Sequence, residues 1–253
     1  MARVDIKSQG TILATGLLQL KNGAAMSSTP TLVTDQNNTA SPLLLSTIDI
    51  TNLGAGTSTT SAAFGNNALI VNTTGIDNAA FGYNALTANT TGSSNSAIGH
   101  EALFSNLSAS FNTAVGKHAA RFNTTGAGNT AIGALAMRLN STGTGNTALG
   151  YVALENNTGS NNTALGYRSL RANTTGQYNV ASGVDALLSN TTGIENTAVG
   201  YQALNNNSTG NSNVAIGKSA LLNNTASNNT AVGYNASGSN LSLIHISEPT
   251  RPY

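Results

Sequence analysis

Residues 196–204 read Asn-Thr-Ala-Val-Gly-Tyr-Gln-Ala-Leu, and relatives of this stretch recur through most of the 253-residue chain. The glycines that match Gly200 are Gly65, Gly82, Gly99, Gly116, Gly133, Gly150, Gly166, Gly183, Gly217 and Gly233. Consecutive glycines are 17 residues apart, except for two gaps of 16. Self-similarity at a fixed period is typical of repeat architectures. We therefore predict a stack of eleven structural units.

A common numbering of the units shows how constant they are. With the repeated Gly at place 5, the consensus is Asn-Thr-Ala-Val-Gly-Tyr-x-Ala-Leu-x-x-Asn-Thr-Thr-Gly-x-x. Place 3 is Ala in all eleven units, place 8 is Ala except at Ser169, and place 9 is Leu in eight units. A 17-residue unit is too short for a helical hairpin, and Asn, Thr and Gly are poor helix formers.

The fold that these units predict is an all-β parallel solenoid. One strand would carry Thr-Ala-Val-Gly-Tyr and a second would centre on the Ala-Leu pair, with alternate side chains on opposite faces. The Asn-Thr-Thr-Gly segment would form the turn and adopt the left-handed φ values. Eleven coils would extend a little over roughly 50 Å at the usual strand spacing.

Each repeated position also has a predicted role. The large apolar residues of places 4 and 9 should point into the coil. Asn at place 1, from Asn78 to Asn229, suits a stacked amide ladder or a bond to its own turn. The small residues of places 3 and 8 suggest the close approach of another chain, because one thin coil stack buries little apolar surface for the backbone that it orders.

Composition excludes several classes of function. Only 8% of the residues are charged, the net charge is +1, and the chain has no Cys. Without Cys, a disulfide scaffold and a thiolate metal centre are impossible. A net charge of +1 is too small to attract nucleic acid electrostatically. No run of 18 apolar residues occurs, so we predict no membrane-spanning helix. The N-terminus lacks the apolar segment of a secretory signal.

The repeat divides the chain into three parts. Residues 1–60 lack it and are predicted to form a short β-rich attachment segment, whereas residues 61–240 form the repeat domain. Residues 241–253 read Leu-Ser-Leu-Ile-His-Ile-Ser-Glu-Pro-Thr-Arg-Pro-Tyr and share nothing with the repeat. They resemble a translated transposase adapter from a sequencing library. We therefore exclude them as non-native and expect the natural C-terminus to be missing.

The repeat resembles a known family. Asn-Thr-Ala-Val-Gly-Tyr-Gln-Ala-Leu at 196–204 is similar to the head repeats of trimeric autotransporter adhesins, the YadA-like left-handed β-roll, and to repeats in phage and giant-virus tail fibres. The resemblance covers about residues 61–240. It implies an intertwined homotrimer that displays a receptor-binding surface, although the 17-residue unit is longer than expected of the adhesin heads.

The resemblance leads to two functional hypotheses. We favour a non-enzymatic tail-fibre protein on the virion, which would join other virion proteins through residues 1–60 and bind a host-cell glycan or protein receptor. The absence of a signal peptide and a likeness of residues 31–45 to particle-proximal fibre ends favour it. The alternative is the head of an extracellular trimeric adhesin on a bacterial surface.

The sequence has no set of catalytic side chains at a suitable spacing, and we predict no catalytic residue, cofactor or metal. Asp77 and Glu195 lie seven coils apart, and Glu101 and Asp185 lie five coils apart. A glycosidase needs its two carboxyl groups within about 5 to 9.5 Å. A hexapeptide-type acyltransferase repeats its aliphatic residue every six positions, whereas places 4 and 9 are five apart.

Two histidines on adjacent coils are also weak ligand candidates. His100 holds place 6 and His118 holds place 7. Consecutive residues of a strand face opposite ways, so a metal shared within one chain is not expected. Solvent-facing imidazoles are the prediction.

Two outward columns are candidate receptor contacts. Place 6 suits sugar stacking and holds Tyr83, Tyr151, Tyr167, Tyr201 and Tyr234. These rings would equally shield a neighbouring chain. Place 10 suits anionic glycans, internal ion pairs or a solvated stripe, and it holds Arg121, Arg138 and Arg171.

A rank of Thr at place 2 raises ice binding as a further alternative. The rank comprises Thr113, Thr130, Thr147 and Thr163. It is interrupted at Val180 and Val214, which weakens this hypothesis.

Overall fold

The computed structural model describes residues 60–237, which form a parallel β-solenoid with one three-residue strand in each coil. The strands are β1 (Ala62–Phe64), β2 (Ala79–Phe81), β3 (Ser96–Ile98), β4 (Thr113–Val115), β5 (Thr130–Ile132), β6 (Thr147–Leu149), β7 (Thr163–Leu165), β8 (Val180–Ser182), β9 (Thr197–Val199), β10 (Val214–Ile216) and β11 (Thr230–Val232). They form a single sheet in sequence order, and every pair is parallel. The predicted fold class is confirmed. The segment predicted at 1–60 and the tail at 241–253 lie outside the described residues, apart from Thr60.

The strand register follows the sequence repeat without slippage. Each place-3 Ala pairs with the place-3 Ala of the next coil, as Ala114 does with Ala131. The register survives the 16-residue coil, where Thr147 pairs with Thr163. That coil reads Asn157-Thr158-Gly159 where others have Asn-Thr-Thr-Gly, so its turn is one residue shorter. The turn therefore absorbs the missing residue and the sheet does not.

The predicted second strand at the Ala-Leu pair is wrong. Places 7 and 9 take left-handed φ in every coil, as shown by Val152 at 53° and Leu154 at 50°. The backbone still bonds to the next coil, because the Leu154 N–H donates to the Ser169 carbonyl at 3.0 Å. Alternating signs of φ prevent a regular strand while preserving the stacking bonds.

The left-handed φ values do not lie in the turn segment where we predicted them. Among the described residues, the Asn-Thr-Thr-Gly segments contain no residue with positive φ, whereas places 5, 7, 9 and 17 do. The place-5 glycines have φ between 128° and 145°, a region closed to side chains. A Cβ added at Gly133 would lie 2.5 Å from the Gly150 carbonyl oxygen, so Gly also permits the coil spacing.

The interior is lined by Ala and Leu, and one predicted inward column faces out. The place-3 Ala is buried in all eleven strands, and the described place-9 leucines are at most 1% exposed. The apolar residues at place 4 are exposed or half-buried, so the prediction that they point inward is wrong. Since strand residues alternate, burial of place 3 turns place 4 outward. The small places 3 and 8 therefore line this chain's own core, rather than a contact with another chain.

Two buried asparagine ladders run along the stack. At place 1, each backbone N–H donates to the Oδ1 of the preceding coil's Asn at 2.9–3.0 Å, through nine steps from Asn78 to Asn229. At place 12, each Nδ2 donates to the preceding Oδ1 from Asn72 to Asn207. The ladder predicted at place 1 is confirmed, and many of its Nδ2 atoms also bond a carbonyl in their own coil. The second ladder was not predicted.

Helices are missing from residues 60–237, so this part of the chain offers none that could cross a membrane.

Candidate functional site

An apolar column, here called the apolar stripe, runs along the outside of the sheet at place 4. Nine of its side chains are at least 37% exposed: Phe64, Phe81, Ile98, Ile132, Leu149, Leu165, Val199, Ile216 and Val232. Val115 is half-buried, and Ser182 is the one polar member. Phe64 and Phe81 stack with ring centroids 5.3 Å apart. The stripe follows the sheet from its first strand to its last.

The tyrosines predicted at place 6 form a second outward column, the aromatic column. Tyr83, Tyr151, Tyr167, Tyr201 and Tyr234 are between 42% and 74% exposed. Tyr151 and Tyr167 lie parallel on adjacent coils with ring centroids 5.9 Å apart. The structure therefore stacks two predicted contact residues against each other on the outside of the coil.

Cations lie over the faces of these rings. The Arg168 Cζ is 4.8 Å from the Tyr167 ring centroid. The Lys218 Nζ lies between two rings, 5.8 Å from the Tyr201 centroid and 5.6 Å from the Tyr234 centroid. Such contacts are weakly stabilising at exposed sites.

The place-10 arginines pair within the chain. Glu155 lies between two of them, with Oε1 at 3.3 Å from the Arg138 Nε and Oε2 at 3.0 Å from the Arg171 Nε. Arg121 Nε is 2.6 Å from Glu101 Oε2, but it makes no aligned hydrogen bond, as is also true of the Arg138 Nε. Of the three roles left open by the sequence, internal pairing is the one observed.

A bidentate ion pair in the place-7 column was missed at the sequence level. Arg168 donates from Nε to the Asp185 Oδ1 at 2.7 Å and from Nη2 to Oδ2 at 2.8 Å. Hydrogen bonding to Asp185 raises the pKa of Arg168 above its ordinary value. The signal was the opposite charge of two place-7 residues one coil apart.

The structure also brings together three side chains that we did not expect to share a site. His100, Glu101 and His118 each offer one ligand atom, and these atoms lie within 4.8 Å of one another. The prediction that the two imidazoles face opposite ways is wrong. Glu101 and His118 have φ of 55° and 59°, so the alternation of an extended strand does not hold at place 7.

His118 is electrostatically tuned within this cluster. Its Nε2 lies 3.3 Å from the Glu101 Oε2, and its ring meets the His100 ring edge-on at 5.3 Å. Desolvation is the largest influence and lowers the pKa of His118 below its ordinary value, with Arg121 and Lys117 adding to this and Glu101 opposing it. The lowered pKa favours the neutral form of the imidazole at pH 7.

The other candidates remain separate. Asp77 and Glu195 are exposed, and the Glu195 Oε2 accepts a hydrogen bond from the Ser212 Oγ at 3.2 Å. The Thr rank of place 2 lies beside the apolar stripe, and its members Thr113, Thr130, Thr147 and Thr163 are half-buried. Neither set forms a cleft with convergent polar groups.

No protein-family model, curated protein or solved structure matched the chain when it was compared with each.

Proposed function

We propose that the chain is the shaft or receptor-binding part of a virion tail fibre, and that it acts as a homotrimer without enzymatic activity. The apolar stripe carries this proposal. Monomeric soluble proteins rarely expose a continuous apolar patch larger than a few hundred Å². Here place 4 is apolar in ten of the eleven strands and is interrupted at Ser182, over roughly 48 Å at the usual strand spacing.

A second and third copy of the same chain are the partners that fit the stripe best. Each copy presents apolar groups at the strand spacing, so two stripes match along their whole length. Covering a half-exposed aliphatic group contributes about 1 kcal/mol. Association costs about 4–15 kcal/mol, so several coils must take part. The number of chains, three, comes from the resemblance to trimeric fibres and adhesins.

The aromatic column is the proposed receptor contact. The tyrosine rings are 42–74% exposed and carry a hydroxyl group, which suits contact with sugar rings. Three chains with repeated coils would multiply weak contacts through effective concentration. The place-10 arginines are engaged with Glu101 and Glu155, so we assign them a supporting role at most.

Sedimentation of the full chain tests self-association. The wild type should sediment as a trimer, and Ile132→Ser with Leu149→Ser and Leu165→Ser should sediment as a folded monomer. Ser182 already occupies place 4 with its strand paired on both sides, so these changes should preserve the coil. A wild-type chain that is monomeric and folded at micromolar concentration would contradict the trimer.

Binding to an array of bacterial surface glycans tests the receptor contact. Tyr151→Ser with Tyr167→Ser should reduce binding at least tenfold and leave the sedimentation unchanged. Tyr178→Ser is the matched control, because Tyr178 is 56% exposed but lies at place 17. Equal losses from both variants would remove the aromatic column from the proposal.

A cell-surface adhesin would use the same stripe and column, so the DNA beyond codon 240 distinguishes the two hypotheses. A membrane-anchor domain there would favour the adhesin. A chaperone-like ending or neighbouring capsid genes would favour the fibre.

A further inference from the structure

We propose that His100, Glu101 and His118 bind one divalent transition-metal ion, of which Zn²⁺ is the representative, on the side of each chain. This site is independent of the proposed attachment function. Two imidazole nitrogens and one carboxylate oxygen form a ligand set that zinc uses with an open fourth position for water. Imidazole also suits Cu²⁺ and Ni²⁺.

The spacing of the ligand atoms supports binding by one chain. Ligands of tetrahedral Zn²⁺ lie about 3.3–3.6 Å from each other, given bond lengths of about 2.0–2.2 Å. The His118 Nε2 and the Glu101 Oε2 are already 3.3 Å apart. All three ligand atoms lie within 4.8 Å, and the His100 side chain is exposed, so its ring has room to turn inward.

The backbone fixes the two elements that carry the ligands. The His118 N–H donates to the His100 carbonyl at 2.9 Å, and the Glu101 N–H donates to the Tyr83 carbonyl at 2.8 Å. The Tyr83 ring stacks on the His100 ring with centroids 5.2 Å apart. Three ligands on two adjacent, hydrogen-bonded coils therefore need only side-chain rotation to converge.

Arg121 is the group that opposes the ion. Its Nε lies 2.6 Å from the Glu101 Oε2 without forming an aligned hydrogen bond, so the carboxylate is paired but not locked. The guanidinium also lies 4.7 Å from the Phe122 ring centroid and 5.5 Å from that of Phe104. These rings can hold Arg121 while Glu101 turns to the metal.

Calorimetric titration of the full chain with ZnCl₂ tests the site. We expect one ion per chain, and at least tenfold weaker binding in both His100→Asn and His118→Gln. Both variants should fold, because Asn66 holds place 6 and Gln202 holds place 7 in other coils. His245→Gln is the matched control, since His245 lies outside the described residues, and it should leave the affinity unchanged.

Three outcomes would overturn the proposal. They are absence of zinc binding below millimolar concentration, zinc binding that His245→Gln abolishes, and one ion per three chains, which would place the ion on a symmetry axis.

Removal of the Arg121 guanidinium should strengthen zinc binding, whereas the histidine variants should weaken it. Arg121→Leu should tighten zinc binding several-fold, because Glu101 would no longer share its carboxylate with a guanidinium. Leu188 occupies the same place 10 in another coil, so the fold should tolerate the change. Unchanged or weaker binding would contradict Glu101 as a ligand.

Discussion

The inward and outward columns of the solenoid share one period but differ in how strictly their residues repeat. Inside, place 3 is Ala in every coil and place 12 is Asn from Asn72 to Asn224. Outside, place 6 carries Asn, Tyr, His, Lys, Ala or Val. An inner residue must match the coils above and below it, whereas an outer residue only faces solvent or a partner. Binding properties can therefore change on the outside while the core stays the same.

The largest expected effect comes from breaking an inner ladder. Asn146 donates from Nδ2 to the Gly159 carbonyl at 2.9 Å and accepts from the Asn162 N–H at 2.9 Å. Asn146→Leu leaves the buried Asn162 N–H without a partner, at about 1–3 kcal/mol, whereas the Gly159 carbonyl keeps the Asn157 Nδ2 as a donor. The larger side chain also overpacks the ladder, at about 1–3 kcal/mol. Urea unfolding at fixed chain concentration should show a loss of about 2–6 kcal/mol.

Asn156→Ala is the control for this ladder variant. Asn156 is half-buried at place 11, where Ala88 and Ala172 stand in other coils, so it should change stability by less than about 0.5 kcal/mol. If the two variants lose similar free energies of unfolding, the ladder does not stabilise the coil more than an ordinary half-buried residue does.

Two leucines of one coil provide a matched comparison of inside with outside. Leu154 is fully buried at place 9, whereas Leu149 is 49% exposed at place 4. Leu154→Ala should cost about 2–5 kcal/mol in the free energy of unfolding, because it leaves a cavity. Leu149→Ala should cost less than about 1 kcal/mol within the coil and should raise the dissociation constant of the trimer. Urea titration and sedimentation equilibrium separate the two effects, and the reverse ranking would refute the assigned orientation.

A smaller effect is expected at the ion pair between Arg168 and Asp185. Arg168→Gln removes the bidentate bond and should lower the melting temperature only slightly, because exposed ion pairs contribute little to stability. The difference from the wild type should narrow in 1 M NaCl, since salt screens surface charges. A thermal shift that is the same at both salt concentrations would show that packing, and not charge, explains the loss.

A comparably small effect on stability is expected in the aromatic column. Tyr151→Ala removes one stacked pair and should lower the free energy of unfolding by about 0.5–1 kcal/mol, because the ring is already half-exposed. Thermal unfolding monitored by circular dichroism measures this loss. A loss above about 2 kcal/mol would place the ring in the core instead of on the surface.

Much of the fold could be predicted from the period alone. Eleven copies of Ala-x-Gly, ten of them with an apolar middle residue, predicted parallel stacking, in-register strands and the amide ladder from Asn78 to Asn229. These features follow because a side chain that repeats once per coil stacks on the identical side chain of the next coil. The orientation of place 4 was missed because the larger side chain was assumed to be the buried one. The invariant Ala of place 3 was the better guide.

The rest depended on backbone geometry that residue types do not report. Leu is not a residue that predicts positive φ, yet Leu154 and its place-9 counterparts adopt it. That choice removed the predicted second strand. The same geometry at Glu101 and His118 brings the imidazoles together. The cluster of His100, Glu101 and His118 could therefore be found only from the structure, as could the pairing of Arg168 with Asp185.

The uniform register has a consequence for how such a gene can change. Neighbouring coils are joined by the same backbone and asparagine hydrogen bonds along most of the stack, so one coil could be duplicated or deleted without changing this bonding pattern. Length then varies in whole steps of about 4.8 Å. Unequal recombination between repeats would therefore lengthen or shorten the molecule by whole coils.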